Sequence, residues 1–238
     1  MSLDNQARRS TLSASLLSAV STNTAPARTV HGEHRWDHVF AAIYDRINRR
    51  GEKLTLGRLR GELVAKARGR TLEIGAGTGA NIPHYPVAVE ELILAEPFEP
   101  MRRRLERKLS ESGRPARTLD ASAEAIPLED ESLDTIVSTL VLCTVDCPDV
   151  TLAEVGRVLR PDGQLLFIEH VRSDSPRAAR WQDRLEAPWR HFAAGCRCNR
   201  DTITSIKAAG FSTEHESARW RGGAPIVAPL VIGRAVKE

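Results

Sequence analysis

The stretch Arg70-Thr71-Leu72-Glu73-Ile74-Gly75-Ala76-Gly77-Thr78-Gly79 decides the fold of this chain. Its first half is a short apolar run, typical of a buried strand, and its second half places glycine at every other position. Glycines directly after a strand let the backbone turn tightly and approach a ligand closely, so that N–H groups of the turn can meet polar ligand atoms. The stretch therefore predicts a strand followed by a ligand-binding loop.

An acidic residue accompanies this glycine loop at a defined distance. Glu96 ends the next apolar run, residues 92–95, and lies 21 residues after Gly75. At that spacing a carboxylate is placed to accept hydrogen bonds from both ribose hydroxyls of a nucleoside. The pattern is G-x-G-x-G rather than G-x-G-x-x-G, and Pro83 follows closely, so a pyrophosphate on a long helix is poorly provided for. A nucleoside ligand without phosphates fits better, and the alternative is a structural turn with a solvated Glu96.

Strand and helix signals alternate along most of the chain, which favours a parallel sheet with helices on both faces. The pattern predicts strands over residues 70–74, 92–95, 133–142, 164–171, 213–220 and 226–236. It predicts helices over residues 36–47, 53–67, 101–110, 150–159, 175–192 and 201–209. The last two strands follow each other without a helix, so we expect an antiparallel hairpin that turns at Gly222-Gly223.

The first half of this pattern resembles the class I S-adenosylmethionine-dependent methyltransferases, whose first motif is an acidic residue followed by G-x-G-x-G. Residues 120–128, 134–138 and 159–164 are similar to the family's adenine-side loop, its fourth strand and the turn before its fifth strand. The resemblance implies an α/β fold: a Rossmann-like, mostly parallel seven-stranded sheet with an antiparallel C-terminal hairpin and a helical N-terminal cap. It also implies S-adenosyl-L-methionine as cofactor and S-adenosyl-L-homocysteine as product.

One branch of the family is similar over nearly the whole chain after Tyr44. Residues 139–145, 167–171 and parts of 188–200 resemble the small-molecule thiol S-methyltransferases, which include animal microsomal enzymes. Ser122 stands where many relatives carry an aspartate that binds the adenine amino group, so that contact is expected from the Ala123 N–H or from Asp120. We find no counterpart of the animal enzymes' hydrophobic N-terminal anchor and expect no stable membrane insertion.

The resemblance places a donor site at the carboxyl ends of the strands, where open α/β sheets bind their ligands. It implies that the glycines line the methionine part, Glu96 holds the ribose and Pro97 or Phe98 packs on the adenine. Ser122 and Ala123 would close the far edge, and Thr139 and Leu140 would lie beside the sulfonium. The implied cofactor-binding set is Glu73, Gly75, Ala76, Gly77, Gly79, Asn81, Glu96, Pro97, Phe98, Ser122, Ala123, Thr139 and Leu140.

Methyl transfer requires no demanding catalytic group from the protein, because the methyl group of a sulfonium is already activated for displacement. A free thiol with a pKa of about 8.5 is only slightly ionised at neutral pH, so a neighbouring base would help. His170, at the end of its strand on the ligand face, is the candidate catalytic residue. The alternative is a histidine that only hydrogen-bonds the loop above the sheet. Glu169 points to the opposite face of a regular strand and is expected to orient or ion-pair a neighbour.

Two further groups of side chains have open interpretations. Trp181, Trp189 and Phe192 fall at helical spacing and form either a lid over an apolar acceptor or a core face under the terminal hairpin. The four cysteines are too few and too clustered to staple the chain, which favours reduced thiols. Their C-x-x-x-C and C-x-C spacings do not match zinc knuckles, so no metal is expected.

Composition narrows the class of protein and its compartment. The chain has 238 residues, and 34 Lys and Arg against 31 Asp and Glu leave a net charge of +3 with both signs mixed, so nucleic acid is not an expected partner. Arg8-Arg9 and the following leucines loosely imitate an export signal, but serines and threonines interrupt them. We expect a cytoplasmic protein with residues 1–30 as a flexible Ser/Thr-rich arm. The methyltransferase domain then spans 31–238: a helical cap over 31–68, a donor-binding core over 69–172 and an acceptor side over 173–238.

These observations predict an enzyme that transfers a methyl group to a small, apolar acceptor, with thiol S-methylation as the first choice. O-, N- or C-methylation of a phenol, heterocycle or quinone is the alternative within the class. A dinucleotide oxidoreductase and a non-catalytic S-adenosylmethionine-binding protein are the alternatives outside it. The sequence leaves the oligomeric state open.

Overall fold

The computed structural model describes residues 35–238, and the predicted arm over 1–30 lies outside the described residues. Seven strands are present in this part of the chain: β1 Gly69–Ile74, β2 Val89–Ala95, β3 Arg117–Leu119, β4 Leu133–Thr139, β5 Leu159–His170, β6 Phe211–Arg219 and β7 Pro229–Lys237. The same part contains six α-helices: α1 Arg35–Gly51, α2 Gly57–Val64, α3 Glu99–Ser112, α4 Pro148–Val158, α5 Pro176–Phe192 and α6 Thr202–Ala208.

All seven strands form one sheet in the order β3-β2-β1-β4-β5-β7-β6. β1 pairs in parallel with β2 on one side and β4 on the other, whereas β7 runs antiparallel to both β5 and β6. This arrangement confirms the predicted α/β fold with its antiparallel C-terminal hairpin. The strand order reverses direction at β1 and β4, and ligands of open α/β sheets bind at such a switch point.

Helices bury both faces of the sheet, which explains the unbroken apolar run of residues 165–168 in the central strand β5. In β5, Leu165 and Phe167 pack on the layer that contains α4 and α6, while Leu166 and Ile168 pack on the layer that contains α2 and α3. Alternate residues of a strand point to opposite faces, so a strand buried on both faces needs an unbroken apolar run. No described helix has both the length and the apolar character that a membrane crossing requires.

The observed elements differ from the predicted ones in several places. β3 was not predicted, because three residues at a sheet edge give no apolar run. The predicted helix over 53–67 is a π-helical turn, Glu52–Leu56, followed by α2. The predicted tight turn at Gly222-Gly223 is a longer loop that contains the 3-10 helix Pro225–Val227. The predicted strand over 133–142 ends at Thr139, because the next residue is left-handed.

The turn after β4 is shaped by one buried carboxylate. Leu140 has φ +63°, a conformation that L-residues other than Asn and Asp rarely adopt. Glu169 accepts a hydrogen bond from the Ser138 hydroxyl and three more from the backbone N–H groups of Val141, Leu142 and Cys143, at 2.7 to 3.1 Å. These bonds satisfy donors that the sheet no longer pairs. Glu169 therefore orients the neighbouring turn, which agrees with the first of the two roles expected for it.

A second buried polar cluster joins the helical cap to the glycine loop. Arg60 of α2 donates hydrogen bonds to Asn81 Oδ1 at 3.1 Å and to Thr139 Oγ1 at 2.7 Å. Asn81 Nδ2 donates to Glu73 Oε1 at 2.8 Å, and the Tyr85 hydroxyl donates to Glu73 Oε2 at 2.6 Å. Burial outweighs these hydrogen bonds and the nearby Arg60 charge, and it raises the pKa of Glu73 to about 7. The cluster therefore contains a carboxyl group that is close to half-protonated at neutral pH.

We predict that Glu73→Gln changes how stability depends on pH. The pKa of Glu73 is raised in the folded state, so the folded chain binds more protons than the unfolded chain, and its contribution to the free energy of unfolding falls as pH rises from 4.5 to about 7. Glutamine mimics the protonated form and does not titrate. The free energy of unfolding of Glu73→Gln, minus that of the wild type, should increase by about 3 kcal/mol over this range, measured in urea titrations.

The measured quantity is the difference between the two free energies of unfolding, because the titration of His170 changes stability with pH in the opposite direction. Its pKa is lowered to about 4 in the folded state, so its contribution to stability rises with pH from about 4 to 6.5. That contribution is common to the wild type and Glu73→Gln and cancels. A difference that stays constant from pH 4.5 to 7 would contradict the raised pKa of Glu73.

Candidate functional site

A cavity of about 600 Å³ lies at the carboxyl ends of β1, β2, β4 and β5. Nine of the residues predicted for the site line it: Gly75, Gly77, Glu96, Pro97, Phe98, Ser122, Ala123, Leu140 and His170. Five others do not line it: Glu73, Ala76, Gly79, Asn81 and Thr139. Glu73, Asn81 and Thr139 belong to the buried polar cluster described above, so their direct contacts are with the protein.

The three glycines of the loop share a left-handed backbone but have different surroundings. A Cβ atom on Gly75 would lie 2.7 Å from Val141 Cγ2, and one on Gly79 would lie 2.6 Å from Ile82 Cδ1. A Cβ atom on Gly77 would meet nothing closer than the Gly75 carbonyl oxygen at 4.0 Å. Gly75 and Gly79 are thus required by packing within the protein, whereas Gly77 faces open space that a ligand can occupy.

Glu96 follows β2 and is anchored by the backbone on both carboxylate oxygens. Oε2 accepts a hydrogen bond from the Gly77 N–H at 2.8 Å, and Oε1 accepts one from the Phe98 N–H at 2.9 Å. Burial raises the pKa of Glu96 from its ordinary value. A carboxylate has about four acceptor positions, so each oxygen keeps a lone pair for a ligand hydroxyl. This geometry suits a ribose, and the open space at Gly77 suits the rest of a nucleoside sulfonium.

The loop after β3 forms the next part of the wall. Ser122 and Ala123 both line the cavity, as expected for the adenine side. The side chain of Asp120 is paired with Arg102 of α3, with Nη2 and Oδ2 2.9 Å apart, and it does not line the cavity. Of the two residues considered as substitutes for the missing aspartate, Ala123 is therefore the one that borders the cavity.

The opposite wall is apolar and comes from the last third of the chain. Trp189, Phe192 and Ala193 lie at the end of α5, and Trp220 and Ala224 lie in the loop between β6 and β7. Trp189 also packs on a small core cluster around Val227. Trp189 thus contacts the core, as one of the two predicted alternatives requires, and it also borders the cavity. Trp181 is 57% exposed and does not line the cavity.

His170 lies between these two walls, at the end of β5. Its ring centroid is 5.3 Å from the Trp220 ring. Burial lowers the pKa of His170 to about 4, against a smaller opposing effect of the Val227 and Pro229 backbone, so the ring is neutral at neutral pH. Its buried Nδ1 has no hydrogen-bond partner among the described residues. His170 is among the residues that line the cavity, and a neutral imidazole keeps one ring nitrogen that can accept a hydrogen bond.

Several residues of the site were not predicted from sequence. Tyr44, Ile47 and Asn48 of α1 line the cavity, and the helical periodicity that indicated α1 does not show what it covers. Arg60 was not singled out from the sequence, although it lies four residues after Leu56 and three before Leu63, on the apolar face of the helix. That spacing is the signal that could have identified it.

Among the described residues, no three His, Cys, Asp or Glu side chains are grouped as a metal site needs.

The fold matches solved S-adenosylmethionine-dependent methyltransferases. One such structure, from Thermotoga maritima, superimposes with a TM-score of 0.64 at 23% sequence identity, over 85% of this chain and 99% of that one. At this identity the match shows the fold alone. A family profile described as a methyltransferase domain matches residues 72–167, from β1 to β5.

Sequence relatives extend the match beyond this core. The thiol S-methyltransferase TMT1B of Homo sapiens is 34% identical over 211 residues, which are 84% of this chain and 85% of the relative. The enzyme of the same name from Rattus norvegicus is 36% identical over 175 residues, 70% of each chain. Similarity of this extent, together with the methyltransferase profile, shows that the chain belongs to the S-adenosylmethionine-dependent methyltransferase family.

Proposed function

We propose that this enzyme methylates the sulfur of small, apolar thiols. The observation that carries the proposal is the single cavity that joins the Gly77–Glu96 region to the apolar wall of Trp189, Phe192 and Trp220. One space thus borders both a polar wall suited to a nucleoside and an apolar wall suited to a small acceptor. The thiol relatives, with 70% to 85% of their length covered, support sulfur as the acceptor atom.

We further propose a role for each residue on the donor side. S-adenosylmethionine, when bound, supplies a methyl group activated on a sulfonium. Glu96 holds the ribose hydroxyls, Gly77 lets the backbone approach the methionine part, and Ser122 and Ala123 bound the adenine. Pro97 and Phe98 pack on the adenine face. Glu73, Asn81 and Thr139 act through the buried polar cluster by positioning the glycine loop and the end of β4.

His170 is proposed to hold the acceptor thiol. Its neutral ring accepts a hydrogen bond from the S–H group, and this bond orients the sulfur lone pair. The ring takes up the thiol proton as the sulfur is methylated. Because the pKa of His170 is about 4, the ring stays unprotonated at every pH near neutrality. The same low pKa makes it a weak base, so orientation contributes more than proton abstraction, and acidic thiols should depend on it least.

The domain division and the compartment remain proposals of the same kind. We propose that residues 31–68 cap the cavity, 69–172 bind the donor and 173–238 contribute the acceptor wall. All four cysteines are free, and two of them, Cys143 and Cys196, face each other unbonded. This is expected in a reducing compartment such as the cytoplasm.

The function is tested with the full chain, S-adenosylmethionine and a panel of matched acceptors. The panel pairs each apolar thiol with its alcohol, amine and phenol analogues, and the readouts are S-adenosylhomocysteine formation and the mass of the methylated product. We expect turnover with the thiols and at least about a hundredfold less with the oxygen and nitrogen analogues, which are poorer nucleophiles or more strongly solvated. Preferred methylation of a phenol or an amine would overturn thiol specificity while leaving the methyltransferase activity in place.

We predict that Glu96→Ala weakens S-adenosylmethionine binding by about tenfold to a hundredfold, because charge-assisted hydrogen bonds to the ribose are lost. Isothermal titration calorimetry measures the affinity, and thermal unfolding establishes that the variant is folded. Glu90→Ala, at an exposed position near the start of β2, the strand that precedes Glu96, is the matched control and should bind normally. Equal affinities of the two folded variants would remove Glu96 from the donor site.

We predict that His170→Ala lowers turnover of an alkyl thiol by about tenfold to a hundredfold at neutral pH and leaves donor affinity nearly unchanged. The loss should shrink as pH approaches the pKa of the acceptor, about 8.5, and with a more acidic aromatic thiol, because a preformed thiolate has no proton to lose. The wild type should show no inflection of kcat/KM near pH 6.5, since the pKa of His170 is about 4.

The control for this variant is His215→Ala, at an exposed position on β6, which should keep wild-type rates and profile. The same fractional loss at every pH and with every thiol would contradict a role of His170 toward the thiol proton. It would leave only a steric role for the ring.

A further inference from the structure

Two cysteine side chains form part of the cavity wall, and the proposed methyl transfer uses neither of them. Cys143 lies in the turn after β4 and Cys196 in the loop after α5, and both line the cavity. Their Sγ atoms are 3.9 Å apart and share a hydrogen bond. The backbone holds the two segments together, because the Arg197 N–H donates to the Cys143 carbonyl oxygen at 2.7 Å.

The two thiols differ in access and acidity. Cys143 is fully buried, whereas Cys196 is 8% exposed at the cavity surface. The hydrogen bond between the two thiols lowers the pKa of Cys196, and the same bond, with burial, raises the pKa of Cys143. Among charged groups, Glu169 raises both pKa values, and Arg200 lowers that of Cys196. Cys196 is therefore the thiol that ionises first and meets an incoming molecule, with Cys143 behind it.

We propose that Cys196 and Cys143 form a dithiol site that reduces small, apolar organic disulfides entering the cavity. The site shares the apolar wall of the proposed function, but its chemistry needs no methyl donor. A nucleophilic thiol backed by a second thiol within van der Waals distance is the arrangement that thiol–disulfide exchange requires.

The exchange proceeds in two balanced steps. In the first, the Cys196 thiolate attacks one sulfur of R–S–S–R, forming a Cys196–S–S–R bond and releasing one RS⁻. In the second, Cys143 attacks the Cys196 sulfur, forming the Cys143–Cys196 bond and breaking the Cys196–S–R bond, and the departing RS⁻ takes up the Cys143 proton as RSH. The substrate gains two electrons and the cysteine pair loses two. A dithiol reductant returns the pair to its starting state.

This chemistry links the oxidised and reduced forms of one class of compound. The second thiolate leaves from the cavity wall itself, beside the space proposed for the acceptor thiol. A disulfide is not a methyl acceptor of the proposed kind, whereas each of the two thiols formed by its reduction is one. The cysteine pair would thus convert an unusable form of the acceptor into a usable one where it is consumed.

The test uses the full chain carrying Cys147→Ser, which removes the exposed cysteine, without S-adenosylmethionine. The probe is dipyridyl disulfide, a neutral aromatic disulfide that releases the chromophore thiopyridone. We expect two thiopyridones per chain, a protein mass lower by two hydrogens and a peptide that links residues 143 and 196. Dithiothreitol should reverse the change.

Three further variants on this background assign the steps. With Cys143→Ser the reaction should stop after one thiopyridone and leave a pyridyl adduct on Cys196. With Cys196→Ser the first release should slow by at least about tenfold, because the remaining thiol is buried and protonated. Cys198→Ser, which removes a buried thiol outside the cavity lining, is the matched control and should behave like the background.

Several outcomes would overturn the proposal. They are an unchanged first release in Cys196→Ser, a stable adduct on the background protein that Cys143 never resolves, and a linkage that involves Cys198. The intact masses of the background protein decide the matter even where a cysteine variant fails to fold. Because no methyl donor is present, a failure of thiol methylation in the acceptor panel leaves this result unaffected, and the reverse also holds.

Discussion

The carboxylate of Glu169 determines the shape of the site, because it fixes the turn after β4, and residues of this turn line the cavity. Four donors converge on it from Ser138 and the backbone of residues 141–143, and together they keep Leu140 in its left-handed conformation. Such a conformation costs about 1 kcal/mol or more and persists only when its surroundings fix it. This turn also places Val141 against Gly75 and Cys143 beside Cys196. The surroundings of the glycine loop and the position of Cys143 in the cavity wall thus both depend on one buried acid.

Burying two acids beneath a ligand site has a price in stability. The pKa values of both Glu73 and Glu169 are raised by burial, so each carboxylate opposes folding as it ionises. The compensation is local: hydrogen bonds from Asn81 and Tyr85 at Glu73, and backbone N–H groups at Glu169. A satisfied polar network fixes one arrangement of the groups it joins, whereas an apolar core tolerates repacking. We therefore interpret both acids as components that set the positions of the cavity walls.

The sequence predicted the parts of this site that are encoded locally. β1, the glycine loop and Glu96 are contiguous or regularly spaced, and a strand that ends in glycines has few alternatives. The turn after β4 was missed because Leu140 continues an apolar run, and its left-handed conformation depends on Glu169, 29 residues further along the chain. Arg60 was missed because its partners Asn81 and Thr139 come from other elements. The loop of residues 220–228 was predicted as a tight turn because its two glycines suggested one, whereas tertiary packing decides its path.

That packing brings the helical cap and the C-terminal hairpin together over the cavity. Gly51 ends α1 directly against Trp220, where a Cβ atom would lie 2.0 Å from the indole Nε1. The Arg221 N–H donates to Thr55 Oγ1 at 3.1 Å, which ties the hairpin loop to the cap a second time. Trp220 also lies beside the His170 ring. The cap and the histidine proposed to hold the acceptor thus contact the same indole, so one side chain links these two parts of the cavity wall.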